Sequence, residues 1–350
     1  MATLAAWRRQ NARGVYPSLI DTQNLRREEY GLIDLANRNK NLLLNKVNQD
    51  VIKQSWGAAA IEIPVRNSYT AAPTVGTMTC TIPSADSDVE FMNVTFFSIY
   101  QGFKFTPRFV QQTDVTSPDE EWAFMAKQVE ENLAGALETQ IYTVLNAAKA
   151  TTSNSAFIGV GAKYGALVGD TIQVASAEQE FFFNGLKSIY QADDFSRTGI
   201  QVVGDAQLPY FVNQYINQGG SNNTNSQFQF NGLNFSYSNE VVTTGATSAV
   251  STGFAMPAGS LGMFEMVSPD AMAGRTAMNG GKRWMTMNSD LMGLNMEVMM
   301  DDSCSDYSAT TGNALDTNTY AENWQMGINV AILTAFDNST NSGIKKFDFL

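Results

Sequence analysis

Apolar residues recur at three- and four-residue steps through the middle of the chain. Trp122, Met125, Val129, Leu133, Ala136, Leu137, Ile141, Val144 and Leu145 form one stripe, the pattern of a helix with a single buried face. Ser117-Pro118-Asp119-Glu120-Glu121 starts it: a serine suited to the N-cap, a proline at the first helical position, and a glutamate placed to close a capping box. The acids lie at the positive end of the helix dipole. No proline intervenes before Lys149, so the pattern predicts a helix over 118–149, about 48 Å long at ~1.5 Å per residue. An average helix has only about 11–12 residues. A lone strut of this length between β-rich regions points to a scaffold more than to a pocket.

Period-two patterns flank the helix. Ile61-Glu62-Ile63-Pro64-Val65 alternates and leads out, and residues 77–82 alternate and return, which predicts a hairpin arm. A long two-stranded hairpin is marginal alone, so a partner surface is expected for it. Residues 91–110, rich in Phe and β-branched side chains, read as a long strand broken near Gly102. After the helix come a small polar linker at 150–155 and a glycine-rich turn region at 157–169. A compact α/β stretch then reads as a strand at 171–174, a capping box at Ser176–Gln179 opening a helix to about Gln191, a strand at 200–203, and a helix at 207–217 stopped by Gly219 and Gly220. Residues 221–226 are a Ser/Asn/Thr loop. Further strands are expected at 228–237, 262–267, 294–299 and 326–333. In the last, Met326, Ile328, Val330 and Ile332 alternate with Gln325, Gly327, Asn329 and Ala331, the mark of a sheet with one buried face. Residues 1–54 are polar and partly helical; Leu25, Leu32, Ile33, Leu35 and Leu42 to Leu44 look too scattered for a core. This segment is expected to lie on another surface, most simply on other copies of the chain.

Composition sharpens this picture. With 350 residues and 44% apolar content, a core of about two domains is available. Charged residues make up 16%, against about 25% in an average soluble domain. Residues 1–54 hold nine Lys/Arg against five Asp/Glu, a net of +4, which leaves −16 on the rest of a chain of net charge −12. A basic arm on an acidic body could clamp sister copies or touch nucleic acid, although a solvated basic face is the plainer reading. Aromatic and basic residues do not interleave, and the acidic body repels DNA, so sequence-specific binding is not expected. Eleven of the sixteen methionines fall between Met256 and Met300, where they can fill an irregular core.

Catalytic chemistry is hard to find. The chain has no histidine, which removes the usual general base and the commonest metal ligand. Cys80 and Cys304 form neither a disulfide framework nor a zinc cluster. Tyr164 stands where the 159–165 run would need the third glycine of a dinucleotide fingerprint, and Thr276 and Arg283 spoil the phosphate loop that Gly281-Lys282 imitates. Asp301, Asp302 and Asp306 lack the glycine and terminal glutamate of a calcium loop. Residues 258–262 lack nucleophile-elbow spacing. We therefore expect a non-enzyme with no cofactor and no metal. No apolar run is long enough to span a membrane, and Arg8 and Arg9 are followed by no apolar segment of a signal peptide, so an origin in the cytosol is expected.

In this order, the elements resemble the Hong Kong 97 fold of tailed-bacteriophage major capsid proteins. The run of 61–82, 91–110 and 118–149 carries the likeness most specifically. The resemblance implies an α+β fold with an N-terminal arm (1–57), an E-loop hairpin (58–90), a P-domain with its spine helix (91–169), an α/β A-domain (170–260) and returning strands (261–350) completing both. It implies a coat protein that self-assembles into hexamers and pentamers of an icosahedral shell, made in the host cytoplasm and resident in the virion. The shell would enclose packaged double-stranded DNA without reading its sequence. The partners implied are the chain itself, with scaffolding, portal and decoration proteins, and no membrane. Candidate assembly contacts are Arg8, Arg9, Arg13, Arg26 and Arg27 on the arm, Ile61, Ile63, Arg66 and Tyr69 on the hairpin, and Asn222 and Asn223 in the loop that the resemblance puts near the capsomer axis. Some members of that family cross-link through an E-loop lysine; here Arg66 is the sole basic residue between 54 and 103, so non-covalent shells are expected. Two other readings stay open: an encapsulin-like compartment of the same fold, and a β-rich surface-binding protein or carboxylate-dependent enzyme.

Overall fold

A computed structural model describes residues 30–44, 49–50, 52, 60–66, 89–105, 118–151, 158, 164–218, 233–242, 249–268, 282–301, 322–335 and 342–350. Its longest element is the expected helix, Pro118–Ala148 (α2), which follows the shorter Gly31–Leu43 (α1). On α2, Trp122, Val129, Leu133, Leu137, Ile141 and Leu145 are buried as the stripe predicts, while Ala136 is exposed and Val144 half-buried. Ala123, Ala126 and Ala134 are buried beside the stripe. Ser117 and the capping box it would open lie outside the described residues.

The helix lies against a five-stranded sheet built from Phe97–Phe105 (β3), Leu261–Glu265 (β9), Lys282–Ser289 (β10), Leu294–Asp301 (β11) and Glu322–Thr334 (β12). The order is β10-β11-β12-β3, with β9 also on β12, and every pairing is antiparallel. Inward-facing Met287, Met296, Met300, Met326, Ile328 and Val330 meet the helix in one core. The methionine run of the sequence is thus largely the lining of this sheet. Trp122 of α2 meets Trp324 of β12 edge-on, with ring centroids 4.8 Å apart, and Phe103 stacks on Trp324 at 6.5 Å. Such pairs contribute about 0.5–1.5 kcal/mol beyond their burial.

The strand expected over 91–110 divides at Phe96, not at Gly102. Val89–Thr95 (β2) pairs with Ala60–Arg66 (β1) in a separate two-stranded sheet, and β3 then joins the large one. Gly102 stays inside β3 opposite Gln325, where a side chain would come within 3.3 Å of the Trp324 carbonyl oxygen. The glycine serves close approach there, not a break. The observed partner of β1 is 89–95; the 77–82 segment expected to return beside it lies outside the described residues.

A second body holds a six-stranded mixed sheet: Ala166–Val168 (β4), Thr171–Val174 (β5), Ile200–Gly204 (β6), Leu233–Tyr237 (β7), Ser251–Met256 (β8) and Lys345–Phe349 (β13), in the order β4-β5-β13-β8-β6-β7. Gln179–Ala192 (α3) and Leu208–Gln218 (α4) accompany it, and Phe182, Phe183, Phe347 and Phe349 form its aromatic centre. The expected box at Ser176–Gln179 does not form. Ser176 to Glu178 make a turn in which the Glu178 amide donates to the Ala175 carbonyl, and α3 begins with no side-chain cap. Asp205 does cap α4: its carboxylate accepts from the amides of Gln207 and Leu208 (3.1 Å each), from the Thr252 amide (3.1 Å) and from the Ser251 hydroxyl (2.7 Å). The C-terminal strand β13 runs through the middle of this sheet, its Lys345 paired with buried Asp193 and its Asp348 accepting from the Thr252 hydroxyl at 2.7 Å.

The N-terminal extensions correct the expectation most clearly. Leu32, Ile33, Leu35 and Ala36 of α1 are buried in the first core, not left for sister copies. Their spacing gives α1 one apolar side. Ile61, Ile63 and Val94 of the two-stranded sheet are likewise buried, packing with Leu44, Ile52, Phe264, Ala331 and Leu333. That packing explains why β12 has one buried face up to Val330 but also buries Ala331 and Leu333 on the other.

Candidate assembly surface

The geometry splits the two-stranded sheet into an inner and an outer face. Side chains alternate along a strand, so residues one apart point opposite ways. Ile61 and Ile63 of β1 face the body, which puts Glu62 and Pro64 outward; across the register, Pro64 lies opposite Phe91 and Glu62 opposite Asn93. Phe91 is 61% exposed. Phe91 and Pro64 make a small apolar spot beside the polar Glu62 and Asn93 on that face.

The large sheet has its own outer face, turned away from α2. Tyr100, Trp284, Glu297, Met299, Gln325 and Asn329 line a groove there of about 240 Å³. Tyr100 is 68% exposed and sits opposite Gly327, where any side chain would come within 3.0 Å of the tyrosine Cβ. Glu297 organises the polar side of the groove. It accepts from the Asn329 amide group (2.9 Å), the Ser268 amide (2.6 Å) and the Ser268 hydroxyl (3.1 Å). These are fixed polar contacts around aromatic surface, an arrangement suited to recognition by shape.

Two carboxyls of α2 are buried on the opposite side. Glu138 accepts from the amides of Leu32 (2.8 Å) and Ile33 (2.9 Å), and Glu130 accepts from the Ser289 hydroxyl at the end of β10. Burial pushes Glu138 up to about 7, against the pull of its hydrogen bonds to Ser238, Leu32 and Ile33, with the charge of Glu240 adding to the rise. Burial likewise raises Glu130. Among the described residues no three His, Cys, Asp or Glu side chains are placed to hold a metal.

No protein-family model and no curated protein matches this sequence. Solved structures do. A cyanophage A-1(L) capsid asymmetric unit aligns with a TM-score of 0.53 at 13% identity, covering 94% of this chain and 98% of that one. A Microbacterium phage Oxtober96 structure aligns at 0.52 and 12% identity over 98% and 99%, and the capsid of a native GTA particle at 0.52 and 12% over 96% and 94%. This chain has the tailed-phage capsid fold. It is the α+β architecture of the Hong Kong 97 type, shared end to end at an identity where only the fold is held in common.

Within that capsid fold, the candidate contacts divide. Arg8, Arg9, Arg13, Arg26, Arg27, Tyr69, Asn222 and Asn223 lie outside the described residues, as does the Arg66 side chain at the end of β1. Ile61 and Ile63 are placed inside the chain's own core, because the pleat turns them toward Phe264, Ala331 and Leu333. The outward-facing aromatic residues that sequence reasoning passed over as contacts are Phe91 and Tyr100, both exposed, and the half-buried Trp284. Phe91 was readable by parity: in β2, Val94 is buried and Met92 half-buried, so Phe91 and Asn93 must point out.

Proposed function

We propose that this chain is the shell-forming major capsid protein of a tailed phage: a structural, non-enzymatic subunit that associates with itself into the hexamers and pentamers of an icosahedral shell around packaged double-stranded DNA. The observation that carries the reading is the capsid fold over 94–98% of the chain. On this reading residues 1–57 serve as the N-arm, 58–90 as the E-loop, 91–169 as the P-domain with its spine, 170–260 as the A-domain and 261–350 as strands returning to both. The outer face of the β1–β2 sheet, with Glu62, Pro64 and Phe91, is the contact offered to a neighbour. The chain's excess of acids disfavours tight binding of DNA to the wall. Scaffolding, portal and decoration proteins complete the proposed partners, and the host cytoplasm is the proposed site of assembly.

Negative-stain imaging and gel filtration of the expressed full chain test this. Closed shells support it, and shells filled with cargo protein in place of DNA would mark an encapsulin-like compartment. A 38.2 kDa monomer that never assembles would overturn it.

A further inference from the structure

Helix α1 begins without a cap of its own. Tyr30 at its N-cap makes no side-chain capping bond. The job is done from a distance by Glu138 of α2, about a hundred residues on, whose two carboxyl oxygens each take one first-turn amide. Glu138 is 1% exposed. The entry to the helix is equally confined: Tyr30 bridges Ser238, and a side chain on Gly31 would come within 2.1 Å of the Tyr237 carbonyl oxygen.

The helix so held touches both bodies. Leu32, Ile33, Leu35 and Ala36 enter the first core. Asn39 exchanges side-chain hydrogen bonds with Gln201 of β6 in the second sheet, one of them at 2.9 Å. Asn37 donates to the Met292 carbonyl in the β10–β11 turn at 2.8 Å.

We propose that Glu138 is the release point of a clasp: the 31–43 helix ties the two bodies together, and its first turn lets go when this carboxyl ionises. The opposing forces are all on the structure. The two amides, the Ser238 hydroxyl and the helix dipole favour a carboxylate. Dry surroundings oppose it more strongly, and Glu240, held by the Thr139 hydroxyl at 3.0 Å, adds repulsion. The other charges near this junction are matched or engaged elsewhere. Asp34 pairs with Arg38 on the exposed side of α1, Lys127 with Glu131 on α2, and Asp290 acts on Glu130. A neutral carboxyl bears no Born cost but offers the amides weaker acceptors; an ionised one binds them better yet gains more by moving into water, and undocking the first turn takes it there.

Hydrogen exchange of the full-length chain, read by mass spectrometry and corrected for intrinsic rates, tests this. With Glu138 titrating near 7 docked and near 4.5 undocked, protection of peptides covering 31–36 should fall roughly 30-fold between pH 5.5 and 8.5. Protection in 31–36 should lie below that in 322–334 at every pH, since the first turn lets go without the sheet. Glu138→Gln should abolish the pH dependence in 31–36, and Glu240→Gln should keep it but move its midpoint to lower pH. A flat wild-type profile, equal protection in 31–36 and 322–334, or an undiminished slope in Glu138→Gln would each overturn the proposal. Should Glu138→Gln not fold, an unmoved midpoint in Glu240→Gln would overturn it as well.

Discussion

Replacing Phe91 by Ser and Ile63 by Ala should separate the two faces of one small sheet. Phe91 is 61% exposed and Ile63 is 3% exposed, on opposite sides of the β1–β2 pair. An aromatic side chain buries roughly 200 Å² when fully covered, so Phe91 leaves about 120 Å² for a neighbour; at ~25 cal/mol per Å² that is about 3 kcal/mol per contact. Its removal should raise the concentration needed for assembly roughly a hundredfold. The folded chain should hardly notice, losing about 1 kcal/mol or less. Ile63→Ala does the reverse. It opens a cavity among Phe264, Ala331 and Leu333 and should cost about 2–5 kcal/mol of chain stability. Sedimentation velocity across a concentration series reads the first quantity, and urea unfolding of the unassembled chain reads the second. Assembly of Phe91→Ser at the wild-type threshold would refute the outward assignment. An Ile63→Ala chain of normal stability that cannot assemble would refute the inward one.

Other consequences can be checked more briefly. Asp193→Ala strands Lys345 in the second core, where the pair is buried on both sides, and should cost about 3–5 kcal/mol in urea unfolding; replacing both residues with apolar ones of similar size should cost far less. Glu138 has a folded-state pKa raised from 4.5 to about 7. Its contribution is therefore fully present below pH 4.5 and is lost as pH rises through 7, so urea midpoints should fall between pH 5 and 8 in wild type but not in Glu138→Gln, by at most ~3 kcal/mol. Assembled shells boiled in denaturant should run as a single band near the chain mass. A ladder of high-mass species would contradict the argument from the lysine-free 54–103 segment.

How much of this was legible depended on whether each pattern was local. The 118–148 helix was, because its stripe, its start signal and its lack of breakers all lie within one stretch. The alternation through Met326, Ile328 and Val330 showed one buried face of β12, but its second buried face depends on β1 and β2 arriving from more than two hundred residues away. The break at Phe96 is invisible locally, since the chain there changes sheets without changing composition. Lys345-Lys346-Phe347-Asp348-Phe349 reads as half polar, and it lies in mid-sheet because Asp193, Asn146 and Thr252 meet Lys345, Lys346 and Asp348. Leu32, Ile33 and Leu35 share one helical face with Ala36, a local signal that reading them as scattered passed over; only the cap on that helix, Glu138, comes from far along the chain. Long-range partners decided what short-range pattern left open.

The buried roots of the N-terminal extensions change what assembly must do. Had 31–43 and the β1–β2 pair found their burial only on sister copies, folding and assembly would be one event, and every core defect would be a lattice defect. With Leu32, Ile33, Ile61 and Ile63 satisfied within the chain, folding can precede association. A neighbour then meets a fixed edge, and the ordering cost of those residues has already been met. On the proposed function, a lattice would draw its energy from positions the fold leaves outward, Phe91 and Pro64 on one sheet and Tyr100 and Trp284 on the other. It follows that folding and assembly should respond to separate sets of mutations, and the sets should be separable residue by residue along a single strand.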